Sequence, residues 1–322
     1  MTLLRRLGAA CLVTMLLALA AEAAMAQAPR TVRIVVPYPP GSGPDILSRL
    51  LSEQIAQANG PTIVVENRPG GGTLIGTEAA ARAAPDGGTV LFVANSFVVN
   101  PAMNKGSYDV TGSFEPVCYL AATPMILVVQ GSSPYKTLAD LIAAAREKPG
   151  TVVFSSGGPA SSLHVAIEVL KRAAGITATY VPYPGTAPAI NALVGGHVTA
   201  VWADYPTVVS QLKAGTLRGL VTTSAKRVPT LPDMPTFAET GVSTYEADIF
   251  YGLVAPAKTP GEVLAQLRGW FGAAMKASDM QPKLDRQGLF PVNQCGPEFG
   301  TFLRQQVDEY RRAIAGANLM VN

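Results

Sequence analysis

Residues 31–55 read TVRIVVPYPPGSGPDILSRLLSEQI, and the order of residue types in this stretch decides the fold class. Val32 to Val36 is a β-branched run, as in a strand buried on both faces. It stops at Pro37-Tyr38-Pro39-Pro40-Gly41. A helix follows, with Pro44 suited to its first turn and Ile46, Leu47, Leu50, Leu51 and Ile55 on one face. Asn59-Gly60 closes that helix.

The alternation continues outward from this unit. Ile63 to Val65 is a strand, Gly70-Gly71-Gly72 a tight turn before a small-residue helix through Ala84, and Val90 to Ala94 a third strand. This β-α-β-α-β order predicts a parallel sheet. The pattern restarts with a strand at Ile126 to Val129 and a helix opened by Thr137-Leu138-Ala139-Asp140, a capping-box pattern with Asp in place of Glu or Gln. Strands at Val152–Phe154, Thr179–Val181, Val198–Ala203 and Leu217–Thr222 alternate with helices at Pro159–Ala174, Pro188–Val194 and Thr207–Ala214. Phe250 to Ala255 reads as a strand returning to the first sheet, and helices at Thr259–Ala277 and Pro297–Ala315 finish the chain.

Composition narrows the function. The chain has 322 residues, 48% hydrophobic and 15% charged, enough apolar material for about two domains. Its net charge of +3 is too balanced for a nucleic-acid surface. Three Cys and two His leave little for a metal or haem site. At the N-terminus, Arg5-Arg6, the apolar run Leu7 to Ala21 and Ala24-Met25-Ala26 form a cleavable export signal, residues 1–26. The apolar run is shorter than the ~20 residues a membrane helix needs. In an oxidising compartment Cys118 and Cys295 either pair or are separately buried as small hydrophobes; the sequence leaves both readings open.

Catalytic motifs are missing. The sequence has no G-x-S-x-G elbow, no P-loop and no G-x-G-x-x-G fingerprint. His164 lies in a helical pattern and reads as a structural histidine; His197, after Gly195-Gly196, reads as a solvent-exposed turn residue. Hydroxyls, amides and glycines instead collect at successive strand ends: Ser42-Gly43, Asn95-Ser96, Ser155 to Gly158, Ser161-Ser162 and Gly185-Thr186. Any single one of these is accounted for by helix capping. As a set they point to a small-anion site built from backbone N–H groups and short hydroxyls. Two of the loops resemble each other: Val36-Pro37-Tyr38-Pro39 precedes Gly41, and Val181-Pro182-Tyr183-Pro184 precedes Gly185.

The stretch VPYPPGSGPDILSRLLSEQIAQANGPTIVVENRPGGGTLIGTEAAARAAPDGGTVLF resembles the start of the Bug-type receptors of tripartite tricarboxylate transporters. SSGGPASSLH, VPYPGTAPAINALVGG, LKAGTLRGLVTTSAKR, LPDMPTFAETG and YGLVAPAKTP follow in the family's order. The resemblance covers nearly the whole chain after the signal. It implies an α/β, type II periplasmic binding protein, with lobe one at 27–128 plus 249–322 and lobe two at 129–248. It further implies a periplasmic, monomeric receptor that closes on a small carboxylate and delivers it to integral-membrane permease subunits. No cofactor, no metal, no catalysis and no nucleic-acid partner is expected. A ligand-sensing partner of a signalling receptor and a periplasmic enzyme on the same fold are the alternatives.

Carried over position by position, the ligand loops of lobe one are Tyr38, Pro40, Ser42, Gly43 and Asp45, with Asn95 and Ser96 after the third strand. Those of lobe two are Ser156, Gly157, Gly158, Ala160 and Ser161, joined by Tyr183, Gly185, Thr186 and Ala187. The family's acidic position aligns to Ala203, with Asp204 one residue later, so both are candidates. Gly41-Ser42-Gly43 replaces the usual three small residues, and Pro184 stands where many relatives have lysine. Asn95-Ser96-Phe97 replaces a more hydroxyl-rich segment, a change that either narrows the pocket or favours a flatter, more apolar ligand.

Overall fold

The computed structural model describes residues 31–103, 106–158 and 161–317. The expected signal segment 1–26 and the candidate Ala160 lie outside the described residues.

The opening unit forms as its residue types require. Strand β1 (Thr31–Val36) is buried through Ile34, Val35 and Val36 and ends where the proline-rich loop begins. Helix α1 (Gly43–Gln57) carries Pro44 in its first turn and buries Leu47, Leu51 and Ile55. Strand β2 (Thr62–Asn67), a 3-10 turn at Gly71–Thr73, helix α2 (Leu74–Ala81) and strand β3 (Thr89–Val93) follow. β1 lies between β2 and β3 and is parallel to both.

A short helix α3 (Ser96–Ala102) leads into β4 (Phe114–Gln130), a strand of 17 residues. β4 is shared by two groups of strands. From Phe114 to Pro124 it pairs antiparallel with β9 (Asp248–Pro256), which in turn pairs with β3. From Met125 to Gln130 it pairs with β7 (Ala200–Asp204) and β8 (Leu217–Thr222). The expected strand Ile126–Val129 is thus only the end of a longer one. Pro116 and Pro124 made its first part read as loop. In the fold Pro116 adjoins a register shift and Pro124 is the last residue paired with β9, positions where a missing N–H is tolerated.

The second group repeats the first. Helix α4 (Leu138–Glu147) is opened by the expected capping box: Thr137 Oγ1 accepts from the Asp140 N–H and Asp140 accepts from the Thr137 N–H. Strand β5 (Val153–Ser156), helix α5 (Ser162–Ala174), strand β6 (Thr179–Pro182), helix α6 (Thr186–Val194), β7, helix α7 (Tyr205–Lys213) and β8 follow. β5 is parallel to both β6 and β7. After β9 come helix α8 (Gly261–Lys276), helix α9 (Met280–Gln287), strand β10 (Phe290–Cys295) and helix α10 (Pro297–Ala317). α3, α9 and β10 had no counterpart in the sequence reading. β10 is mostly exposed and contains Pro291 and a left-handed Asn293, so it carries no buried apolar run. It pairs with β4, placing Cys295 opposite Cys118, and the two form a disulfide.

Apolar side chains from both groups make the core, with Trp202, Phe154, Phe92 and Tyr251 among the largest fully buried. One cluster joins Phe97, Val98, Tyr310 and Ile314 to Val165 of α5, so α10 packs against the start of the second group.

Candidate functional site

The loops after β1, β3, β5 and β6, and the last residue of β7, meet at one place. A small cavity of about 40 Å³ is lined there by residues that include Tyr38, Ser42, Asn95, Ser96, Gly157, Ser161, Gly185, Thr186 and Asp204. An adjoining chamber of about 360 Å³ shares Tyr38, Ser96, Gly157 and Ser161 with it and adds Gly158 and Tyr183. The N-terminal ends of α1, α3, α5, α6 and α7 all open here, so their partial positive charges add.

Two of these helix starts are those of α5 and α6. Ser161 caps α5: its Oγ accepts from the His164 N–H and donates to the Gly158 carbonyl. The Ser162 and Leu163 amides head that helix, and both residues line the cavity. A Cβ on Gly157 would come within 2.9 Å of the Thr186 backbone nitrogen, so the two loops touch at their glycine and helix start. Among the described residues the Thr186 hydroxyl, buried and lining the small cavity, takes no hydrogen bond from the protein. It is available to a ligand.

Asp204 joins the two groups of strands. Its Oδ2 accepts from the Gly43 N–H at 3.2 Å, the Tyr251 hydroxyl at 3.1 Å and the Thr207 hydroxyl at 2.8 Å. Gly43 and Tyr251 come from the first group, Thr207 from the second. Only glycine fits at 43, because a Cβ there would collide with both Tyr251 Oη and Asp204 Oδ2. Gly185 is pressed equally closely onto the Pro39 ring. The two groups of strands therefore touch at these residues. Burial pushes the Tyr38 phenol above its ordinary pKa, against the effect of its hydrogen bond with Ser96. Burial, and then the Asp204 charge, does the same to Tyr251. Both phenols stay neutral at physiological pH, and that of Tyr251 donates to Asp204.

Other candidates are placed near the cavities but are occupied or turned away. Asn95 lines the small cavity, yet its Nδ2 donates to the Asp248 carbonyl and to Tyr310 Oη, and its Oδ1 accepts from the Phe250 N–H. Asp45 faces Arg49, Asn67 and the Gly41 N–H instead of the cavities. Ser156 is fully buried beneath the loop, sharing a hydrogen bond with the Tyr180 hydroxyl. Ala203 points into the core beside Ile126 and Val201, since alternation along β7 turns Asp204 to the cleft and Ala203 away. Pro40 is exposed, and neither it nor Ala187 lines either cavity.

The structure adds residues that the sequence did not single out. Tyr251 and Ile249, at the start of β9, wall the small cavity. Tyr310, on α10, holds Asn95 from 215 positions away and also bonds with Ser162. No local signal marks Tyr310, because its role depends on α10 crossing to α5. Gly70 to Gly72, expected as a tight turn, do form one, but the turn borders the outer chamber. His164 is stacked on Tyr180 with ring centroids 4.1 Å apart, and His197 is exposed. Among the described residues no cluster of His, Cys, Asp or Glu could hold a metal, and no helix is long and apolar enough to cross a membrane.

Comparisons with known proteins agree with this geometry. Residues 47–319 match the family model described as "Tripartite tricarboxylate transporter family receptor". The structure of the periplasmic binding protein BugD superposes with a TM-score of 0.85 at 31% identity, covering 89% of this chain and 97% of that one. A Rhodopseudomonas palustris protein solved with adipate superposes at 0.86 with 29% identity, covering 89% of this chain and 97% of that one. MatC from the same organism, solved with bound malate, superposes at 0.83 with 27% identity, covering 88% and 98%.

Proposed function

Because this chain belongs to the receptor family of tripartite tricarboxylate transporters, whose members are periplasmic solute-binding receptors and not enzymes, we propose that it captures a small carboxylate by hinge closure. It then presents the closed, liganded form to the integral-membrane subunits of a permease. The observation that carries this reading is the meeting of several helix N-termini on a cavity whose described lining includes no lysine, arginine or histidine. Such a site holds an anion by backbone N–H groups and hydroxyls. Each helix end contributes only ~0.3–1 kcal/mol, so their convergence matters more than any one of them.

The lobes of this reading are residues 27–128 plus 249–322 and residues 129–248. The partner change of β4 at Pro124–Met125 and the entry of β9 at Asp248 support hinge segments near those limits. The ligand carboxylate lies against Gly157, Ser161, Ser162 and Thr186 of lobe two. Tyr38 and Ser96 approach it from lobe one. Asp204 completes closure by accepting from the Gly43 N–H and the Tyr251 hydroxyl. Bound adipate and malate in related structures support the choice of a carboxylate.

The test is thermal unfolding of the protein, first unfolded and refolded to remove co-purified ligand, against mono-, di- and tricarboxylates. A ligand at ~100 times its dissociation constant adds about 2.7 kcal/mol, which is a shift of several degrees. A shift with one acid, and no consumption of that acid by NMR, is the expected result. Turnover of the acid, or no shift with any acid, would overturn the proposal.

A further inference from the structure

The outer chamber has a distinct character, and it bears on what the rest of the ligand is. Its walls are Pro37 and Tyr38 from one lobe, facing Pro182, Tyr183 and Pro184 from the other. These are the two V-P-Y-P motifs of the sequence, brought opposite each other by closure, with Pro39 of one motif against Gly185 behind the other. The remaining border includes the bare backbone of Gly70 to Gly72, all three at positive φ. Among the described residues no charged side chain lines this chamber. Among the described residues Asp204 is the one Asp, Glu, Lys, Arg or His that lines the small cavity.

Volume separates the roles of the two spaces. About 40 Å³ accommodates a water molecule or one small polar group, not an organic acid. The chamber of about 360 Å³ falls within the ~300–1,000 Å³ range of ligand pockets, so it takes the body of the ligand. A second carboxylate placed there would lose water without gaining either a cation or the α5 and α6 amides, whose residues Ser162, Leu163 and Thr186 line only the small cavity, and burial of an unpaired charge is strongly unfavourable. Aromatic and proline rings on opposite walls are instead suited to the faces of a flat apolar group.

We propose that the ligand is a monocarboxylate with a planar, apolar body, held by its carboxylate at the α5 and α6 N-termini and clasped between Tyr38 and Tyr183. This rests on the carboxylate-receptor reading and specifies the other end of the molecule.

Calorimetric titration of the refolded protein with benzoate, adipate, malate and benzamide tests both levels separately. Benzoate is expected to bind at least about tenfold more tightly than adipate or malate, because each of those would bury an uncompensated charge. Benzamide, which lacks the charge, is expected to bind at least about tenfold more weakly than benzoate. Tyr183→Ala should weaken benzoate by about tenfold, and Tyr183→Phe, which keeps the ring, should not. Tighter binding of adipate or malate overturns the planar-monocarboxylate inference and leaves the carboxylate receptor standing. Benzamide binding as tightly as benzoate overturns the carboxylate reading itself. Failure of all three acids to bind overturns both. Unchanged benzoate affinity in Tyr183→Ala removes the aromatic clasp.

Discussion

Asp204 illustrates how much can rest on one carboxylate oxygen. Three donors converge on Oδ2, and two of them come from the first group of strands, opposite the one that carries Asp204. Removing the acceptor leaves the Gly43 N–H and the Tyr251 hydroxyl buried without partners, at a cost of ~1–3 kcal/mol each. Asp204→Ala is therefore expected to open the ligand-free protein, raising the radius of gyration in small-angle scattering; an unchanged profile would rule out the clasp. Thr186 and Ser161 separate in a similar way. The Thr186 hydroxyl is uncommitted, so Thr186→Ala should weaken ligand binding by ~1.5–3 kcal/mol with the melting temperature unchanged. The Ser161 hydroxyl already caps α5, so Ser161→Ala should lower both affinity and stability, the latter by ~0.5–2 kcal/mol. Equal melting temperatures for the two variants would contradict this assignment. Both hydroxyls were legible in the sequence as strand-end residues. Which of them is free was not, because that depends on how the Gly158 carbonyl turns back toward the Ser161 hydroxyl.

At the scale of elements, the unit β1–α1–β2 is held at its cleft end by a buried polar knot. Asp45, in the first turn of α1, accepts from Arg49, from Asn67 at the end of β2 and from the Gly41 N–H. Burial works against ionisation of Asp45, but the hydrogen bonds from Arg49, Gly41 and Asn67 outweigh it and hold the carboxyl below the usual carboxylate range. A carboxyl with a depressed folded-state pKa stabilises the fold above its unfolded pKa of about 3.9. That contribution is lost as pH falls through the folded value. Asp45→Asn should thus destabilise the protein at neutral pH, and its deficit relative to the native chain should shrink in denaturant titrations as the pH drops below about 4. A deficit independent of pH would mean that the bonds at Asp45 do not depend on its charge. In the sequence Asp45 was a candidate ligand residue because it sits in the loop that the resemblance brings to the ligand. α1 turns it the other way, toward β2.

At the scale of the whole molecule, β4 pairs with strands of both groups and the Cys118–Cys295 disulfide ties it to β10. The bridge spans 177 positions of sequence and constrains the unfolded chain accordingly. Replacing both cysteines by serine should cost ~2–5 kcal/mol of stability. Ligand affinity should be unchanged, because neither cysteine lines the cleft. A loss of affinity without loss of stability would reverse that assignment. The alternation of strands and helices, the capping box at Thr137 and the hydroxyl- and glycine-rich strand ends are legible along the chain, since each is written in residues close together. The full length of β4, the edge strand β10, the pairing of the cysteines, the engagement of Asn95 by Tyr310 and the contact of Asp204 with Gly43 came from the folded molecule. These depend on contacts between residues far apart in sequence, and their energies exist only once the two groups of strands have packed.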